Sequence, residues 1–484
     1  MMGPYRNHPV LLLKYIIICV SISVIITLSS QMIVLMLVGL IPLFFYVRIW
    51  FKTRYTFDDD GVKVEKSTAF RTDTDIPYSK VSSINIVRSI LDKIFGTSTL
   101  SFNINSSVNS ETPEMSLVLR MDKAEELKQF IESKIYGTSE SEVPVEEYRE
   151  YVMFSDAEVI MHSFISMPTG SIIFSAFFLV YSIVSFLTST REGISGMFAM
   201  FMFLFSMVVP IARQLLRYFN FKAYRSGDTI YLEHGMFQTY RSSFDVSRIN
   251  AVRVRSPMLA RLMHRSAIQA EVVGINAMAN DATPTLCLMT SDTNNRRIME
   301  KLLPEFIVGD ERTRQPEGAR IPLFFKASVY SAIAAAITAA FCIMMFNERT
   351  GIEEDIGQPA FMTIIIGAIA LASIFILMNM IGCILAMRVV GHHFGDDKFV
   401  FVTGVVDRVT TIVQYDRVQT TVEISGPISR HVGLSKCWVS FLAATKDGST
   451  CCSGYMSQSD AGKVREITMA RLRDGRYDYR KNQI

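Results

Sequence analysis

Apolar residues gather in six stretches that come in pairs, and the segments between pairs alternate apolar and polar positions. The stretches run over 10–28, 32–47, 171–188, 194–211, 323–346 and 360–387. A bilayer core about 30 Å thick takes roughly 20 helical residues, because a spanning backbone must satisfy its own hydrogen bonds. The pattern therefore predicts six transmembrane helices in three hairpins, with tips at Ser29 and Ser30, at 189–193 and at 347–358. The first stretch has no small-residue cleavage site after it and a second span follows at once, so it reads as a retained helix.

Between and after the hairpins, alternation of period two predicts half-buried antiparallel strands. Val62–Glu65, Ile230–Glu233 and Phe399–Val402 match one another. So do Ile84–Ile86, Val252–Val254 and Val422–Ile424, and then Leu100–Ile104, Ile268–Val272 and Trp438–Phe441. Turn signals such as Asp60-Gly61, Gly227-Asp228 and Gly395-Asp396 precede the first set. Each unit closes with an amphipathic helix expected to start at an N-cap Asp, namely Asp122, Asp292 or Asp460.

The correspondence is an internal repeat of about 168 residues. Its markers are Tyr78–Val81, Val246–Ile249 and Tyr415–Val418, each with a second basic residue 13 positions after the first. These pairs are Lys80 with Lys93, Arg248 with Arg261, and Arg417 with Arg430. Gly96, His264 and Gly433 follow at one further fixed spacing, and Pro42 and Pro210 put the hairpins inside the repeat. The expected layout is hairpin 10–48 with domain 49–140, hairpin 165–213 with domain 214–308, and hairpin 321–387 with domain 388–475. Strands capped by a C-terminal helix in about 90 residues correspond to a small β-barrel of the pleckstrin-homology (PH) type. The predicted fold class is thus membrane α plus β in three tandem repeats.

Charge adds orientation. Lys and Arg flank the hairpin bases, as in Arg48, Lys52, Arg54, Arg213, Arg217, Arg320 and Arg388, while the third tip is acidic. By the positive-inside rule the termini and all β domains are cytoplasmic. A net charge of +3 on 484 residues offers no global field for nucleic acid. Seven cysteines without a C-x-x-C, three of them in apolar stretches, imply neither a disulfide framework nor a zinc site. His392-His393 lacks a third ligand at suitable spacing, so no metal or other cofactor is expected.

The second unit, from Gly227-Asp228 through Gly235-Met-Phe to Arg248, Arg253, Arg255 and Arg261, resembles the bacterial PH membrane proteins of the YdbT type. Arg6-Asn7-His8-Pro9 is similar to that family's entry into a hairpin, and the likeness extends over nearly the whole chain. The first unit departs from it, with Ser67-Thr68 where Gly235 and Gly404 stand. The resemblance implies a bacterial inner-membrane protein without catalytic residues. It also implies a shorter single-hairpin relative as partner and a link to resistance against membrane-active peptides.

The repeated cations are the candidate binding residues: Lys80, Lys93, Arg248, Arg261, Arg417 and Arg430. They suit lipid phosphate or an acidic protein face, since guanidinium forks around oxyanions. The competing role is to cap strands and hold the fold. Acidic loops, Asp58–Asp60 and Asp396-Asp397, argue against phosphoinositide binding. No P-loop, H-E-x-x-H or G-x-S-x-G occurs, and the spans hold almost no midspan charge. The expectation is a non-enzymatic membrane scaffold with lipid and protein partners, or a homo-oligomer. The alternatives are a permease or transport accessory for a lipid or peptide, and a membrane-bound enzyme.

Overall fold

The computed structural model describes residues 2–30, 34–67, 71–78, 81–104, 115–136, 152–188, 193–272, 283–309, 311–349, 358–443 and 449–478. The first unit consists of β1 (Met2–Tyr5), α1 (Val10–Ser30), α2 (Val34–Lys52), β2 (Thr53–Phe57), β3 (Gly61–Ser67), β4 (Arg71–Pro77), β5 (Val81–Arg88), α3 (Ile90–Ile94), β6 (Thr97–Ile104), β7 (Met115–Arg120) and α4 (Met121–Tyr136). The second repeats this order with one added helix, α5, before its hairpin: β8 (Val152–Met153), α5 (Asp156–Ile165), α6 (Thr169–Thr188), α7 (Gly193–Tyr218), β9 (Lys222–Ser226), β10 (Thr229–His234), β11 (Thr239–Asp245), β12 (Ile249–Ser256), α8 (Met258–Leu262), β13 (Arg265–Val272), β14 (Thr285–Ser291) and α9 (Asp292–Leu302). The third has β15 (Thr313–Arg314), α10 (Arg320–Asn347), α11 (Gln358–Val389), β16 (Gly391–Phe394), β17 (Lys398–Thr403), β18 (Arg408–Gln414), β19 (Val418–Ile424), α12 (Pro427–His431), β20 (Leu434–Phe441), β21 (Thr450–Cys452), β22 (Met456–Ser457) and α13 (Gln458–Arg473).

A short strand before each hairpin pairs with the strand after it: β1 with β2, β8 with β9, β15 with β16. Both ends of every hairpin are therefore tied to one lobe. Three helical segments, Gly196–Tyr218, Glu317–Asn347 and Phe361–Val389, are long and apolar enough to cross a membrane. Asp156–Ile165 and Thr169–Ile183, bent by 74°, make a fourth if they form one span. The first hairpin presents a shorter apolar helix, Val10–Val24, among the described residues. Along α6 and α7 the few polar side chains face each other, with Ser175 Oγ 2.8 Å from Ser206 Oγ and Ser182 donating to the Gly196 carbonyl. Polar contacts of this kind join apolar helices where burial of apolar surface alone gives little specificity.

The lobes depart from the expected closed barrel. Each contains two antiparallel sheets, and the sheets continue into the neighbouring unit instead of closing on themselves. One seven-stranded sheet has the order β7-β6-β5-β11-β10-β9-β8, and the other β14-β13-β12-β18-β17-β16-β15. β5 of the first unit thus pairs with β11 of the second, and β12 of the second with β18 of the third. The cause is the open backbone edge: an edge strand must find donors and acceptors, and the neighbour's edge supplies them in register.

Burial follows the same logic. β10 alternates partly exposed and buried residues and covers the second core with Ile230 and Leu232. Val400, Val402 and Ile412 of the third unit complete that core, whereas Ala251 of the second unit lies in the core of the third. The expected N-caps shift by a few residues. Ser291 and Ser457 cap α9 and α13, accepting from Asn294 and Asp460 backbone N–H, so Asp292 and Asp460 sit inside the first turn.

The repeat glycines mark backbone constraints. Gly235 and Gly404 leave β10 and β17 with φ of +112° and +80°, where an added Cβ would lie 1.9 Å from the carbonyl oxygen of Gln238 or Asp407. Gly96, His264 and Gly433 end the short helices with φ of +65°, +51° and +72°. Gly433→Ala meets no atom within 4 Å, so it should cost only the left-handed backbone term, about 1–2 kcal/mol. Gly404→Ala adds a clash with backbone. Thermal unfolding in detergent should rank Gly404→Ala clearly below Gly433→Ala.

Candidate functional site

Both junctions obey one register. In the first, Asn85 opposes Ser242, and in the second Arg253 opposes Thr411. Asn85 and Arg253 stand five residues after the repeat's first basic residue, and Ser242 and Thr411 six residues before the next one.

The predicted binding cations lie at these junctions. Lys93 Nζ donates to the Met236 carbonyl of the second unit at 2.5 Å, and Arg261 Nη1 to the Val405 carbonyl of the third at 2.7 Å. Met236 and Val405 follow the paired turn glycines, so the two latches are equivalent. In the reverse direction Arg417, 3% exposed, donates to the Ser247 carbonyl of the second unit. Burial pulls the Arg417 guanidinium down to about 10, chiefly by desolvation against the pull of Asp416. Arg248 holds the same place on its own 3-10 turn, Val246–Arg248. Lys80 lies outside the described residues. Arg430 on α12 is exposed and has no partner among the described residues.

Between α9 and β18, at the second junction, opens a cleft of about 690 Å³. Its rim carries Arg261, Arg265, Arg296, Arg312 and Arg408 together with His264 and His393, against Asp292 and Glu311. Asp292 is engaged by the Ser266 hydroxyl at 2.7 Å. Arg408 Nε is buried there without a hydrogen-bond partner. At the first junction an ion pair crosses from Arg241 on β11 to Glu125 on α4 at 3.0 Å. Thr410 and Arg296 take those two places in the cleft, so no Arg–Glu pair crosses there, and Arg296 meets Glu300 of its own helix at 3.6 Å. The apolar wall includes Val254, Ile268, Met299, Val400 and Ile412. Such an arrangement accepts an anionic group whose stem is partly apolar.

Of the cleft residues only Arg261 was among the sequence candidates. Arg296 and Arg408 follow no repeated spacing, and their approach depends on strands pairing across units. His392 is buried, with its imidazole pKa lowered mainly by desolvation, while His393 lines the cleft. No group of three His, Cys, Asp or Glu able to hold a metal occurs among the described residues.

On the face of the sheet away from the cleft, Glu271 is fully buried and faces Arg253 with Nε to Oε1 at 3.0 Å, a charge contact without hydrogen-bond alignment. Arg253 also donates to the Thr450 carbonyl of the third unit. Burial outweighs Arg253 and Arg255 and pushes the Glu271 carboxyl up to about 7. The folded state then keeps a proton that the unfolded chain releases near 4.5. Stability from this group is full below pH 4.5, falls as pH rises toward 7, and is flat above. Melting curves across that window should show this loss, and Glu271→Gln should flatten it.

The family model described as Bacterial PH domain matches residues 10–135, 174–291 and 356–471, about three quarters of the chain. Each match takes in hairpin residues as well as the lobe after it. No curated protein and no solved structure matches the chain.

Proposed function

The chain belongs to the bacterial PH domain family, and from that premise we propose that it is a non-enzymatic membrane scaffold. Its three hairpins lie in the bacterial inner membrane with the termini and lobes on the cytoplasmic side. The lobes present the arginine cleft to an acidic segment of a protein partner, such as a shorter relative with one hairpin. The activity served is envelope homeostasis or tolerance to membrane-active peptides.

One observation carries the reading: guanidinium groups converge on a partly apolar cleft where the preceding junction is closed by its own Arg–Glu pair. Placement of the lobes against a bilayer has separate support. Exposed apolar residues crowd the hairpin bases, among them Ile94 at 69% and Leu262 at 70% exposure on the short helices α3 and α8. Lys14 of α1 pairs with Asp92 of α3 at 2.6 Å, and the Met236 N–H donates to Leu216 near the end of α7. The α3 tip is thereby held beside the ends of the hairpin helices, which supports a place for it at the depth of lipid headgroups.

The test uses the full chain in nanodiscs of zwitterionic lipid, titrated with a fluorescent oligoglutamate peptide. Arg296→Gln and Arg408→Gln should each weaken binding by about tenfold or more, while the exposed control Arg473→Gln should leave it unchanged. Equal binding by the double variant and the parent would overturn the assignment of the cleft.

A further inference from the structure

The two junctions use up two of the three equivalent pairs of edges. β4 of the first unit is the counterpart of β11 and β18, and β19 of the third is the counterpart of β5 and β12. Each stands at the end of a four-stranded sheet, with no strand on its outer side among the described residues. The molecule thus ends in one edge of each kind.

The free face of β19 is built differently from its covered counterparts. The position five residues after the basic marker is Asn85, 3% exposed, in the first unit, and Arg253, whose side chain is 11% exposed, in the second. In the third it is Val422 at 46%, next to Ile424 at 45% and the cross-strand partner Trp438 at 41%. Polarity along β19 is inverted: Glu423 turns toward α13, where Arg465 meets it at 3.4 Å, and the apolar side chains turn outward. A strand whose large apolar residues face solvent while a carboxylate faces its own helix is shaped for a covering neighbour.

We infer that β19 of one copy pairs antiparallel with β4 of a second copy, extending the intramolecular junction between molecules. Carrying the common register forward sets Val422 opposite Thr74, Thr421 opposite Asp75 and Thr420 opposite Ile76. Charge is complementary with the signs exchanged. At the first junction Glu125 of the leading unit meets Arg241 of the following one. At the intermolecular junction β4 brings the exposed Asp75 opposite Thr421, and the leading unit supplies Arg465 beside Gly462, which takes the place of Glu125. Arg430, the latch residue without a side-chain partner among the described residues, belongs to the same edge. Because the two edges differ, the contact is head to tail and builds rings or open rows of copies, not two-fold dimers. The inference rests on the strand register and on the exposed apolar face of β19, and does not involve the cleft or its occupant.

The experiment takes full-length chains in native membranes, with the native cysteines replaced, and two differently tagged copies. Directly opposed antiparallel residues bring Cα atoms to about 4.5–5.5 Å, within disulfide range. Val422→Cys on one copy and Thr74→Cys on the other should give a reducible mixed dimer on mild oxidation. Both substitutions in one chain should give a ladder of multimers, and Val422→Cys alone should give no dimer. As a second variant, Trp438→Lys changes an exposed side chain and should lower the crosslinked fraction by about tenfold with an unchanged melting temperature. No mixed dimer, a Val422→Cys dimer of equal yield, or trapping of Val422→Cys on a different protein in place of Thr74→Cys would each overturn the inference.

Discussion

The unsatisfied edge of a β-sheet governs this molecule. Every backbone N–H and C=O at a buried edge needs a partner, and none of the lobes closes its two sheets to provide one. Partners come from the next unit, through β5 with β11 and β12 with β18. The lobes consequently share sheets, and residues of one unit become core of another, as Val400, Val402 and Ile412 do for the second unit. Each hairpin is in turn anchored at both ends to its lobe by a strand pair. A displacement of one lobe is therefore coupled to the whole row.

The two junctions solve the same geometry with different chemistry. The first is polar on its outer face, where Arg241 joins Glu233 and Glu125. The second is apolar at the core and leaves excess guanidinium along its rim. Repetition supplies the frame, and divergence at particular positions creates a site at one junction. The repeated cations Lys93, Arg261 and Arg417 act within the frame, each holding a carbonyl of an adjacent unit.

Much of this was legible in the chain. Alternation locates nine strand segments, those of β3, β5 and β6 and their counterparts, but not β11, β14 or β18, and the marker spacing singles out Lys93, Arg261 and Arg417 as binding cations, not as contacts between units. The purpose of the latches was not legible, because their acceptors are backbone carbonyls 143 and 144 residues away, which carry no side-chain signal. Matching Val422–Ile424 to Val252–Val254 misses by one residue: the structure puts Arg253, not Val252, at the place of Val422. A one-residue slip reverses the faces of a strand, so residues expected in a core emerge on an open surface. The barrel expectation failed for a related reason. Periodicity reports which face is buried and is silent on which edge lies beside it. The cleft cations Arg296 and Arg408 belong to different units and meet only through that pairing.

Residue-resolved amide exchange along β18 tests the central claim most directly. In an antiparallel ladder alternate amides point to opposite neighbours, so some amides of Arg408–Gln414 face β17 and the others face β12. If the lobes share a sheet, both sets exchange at the same slow rate, set by opening of the whole body. Fast exchange confined to the set that faces β12 would mean that the third lobe ends in a free edge, and the account of a continuous row would be wrong.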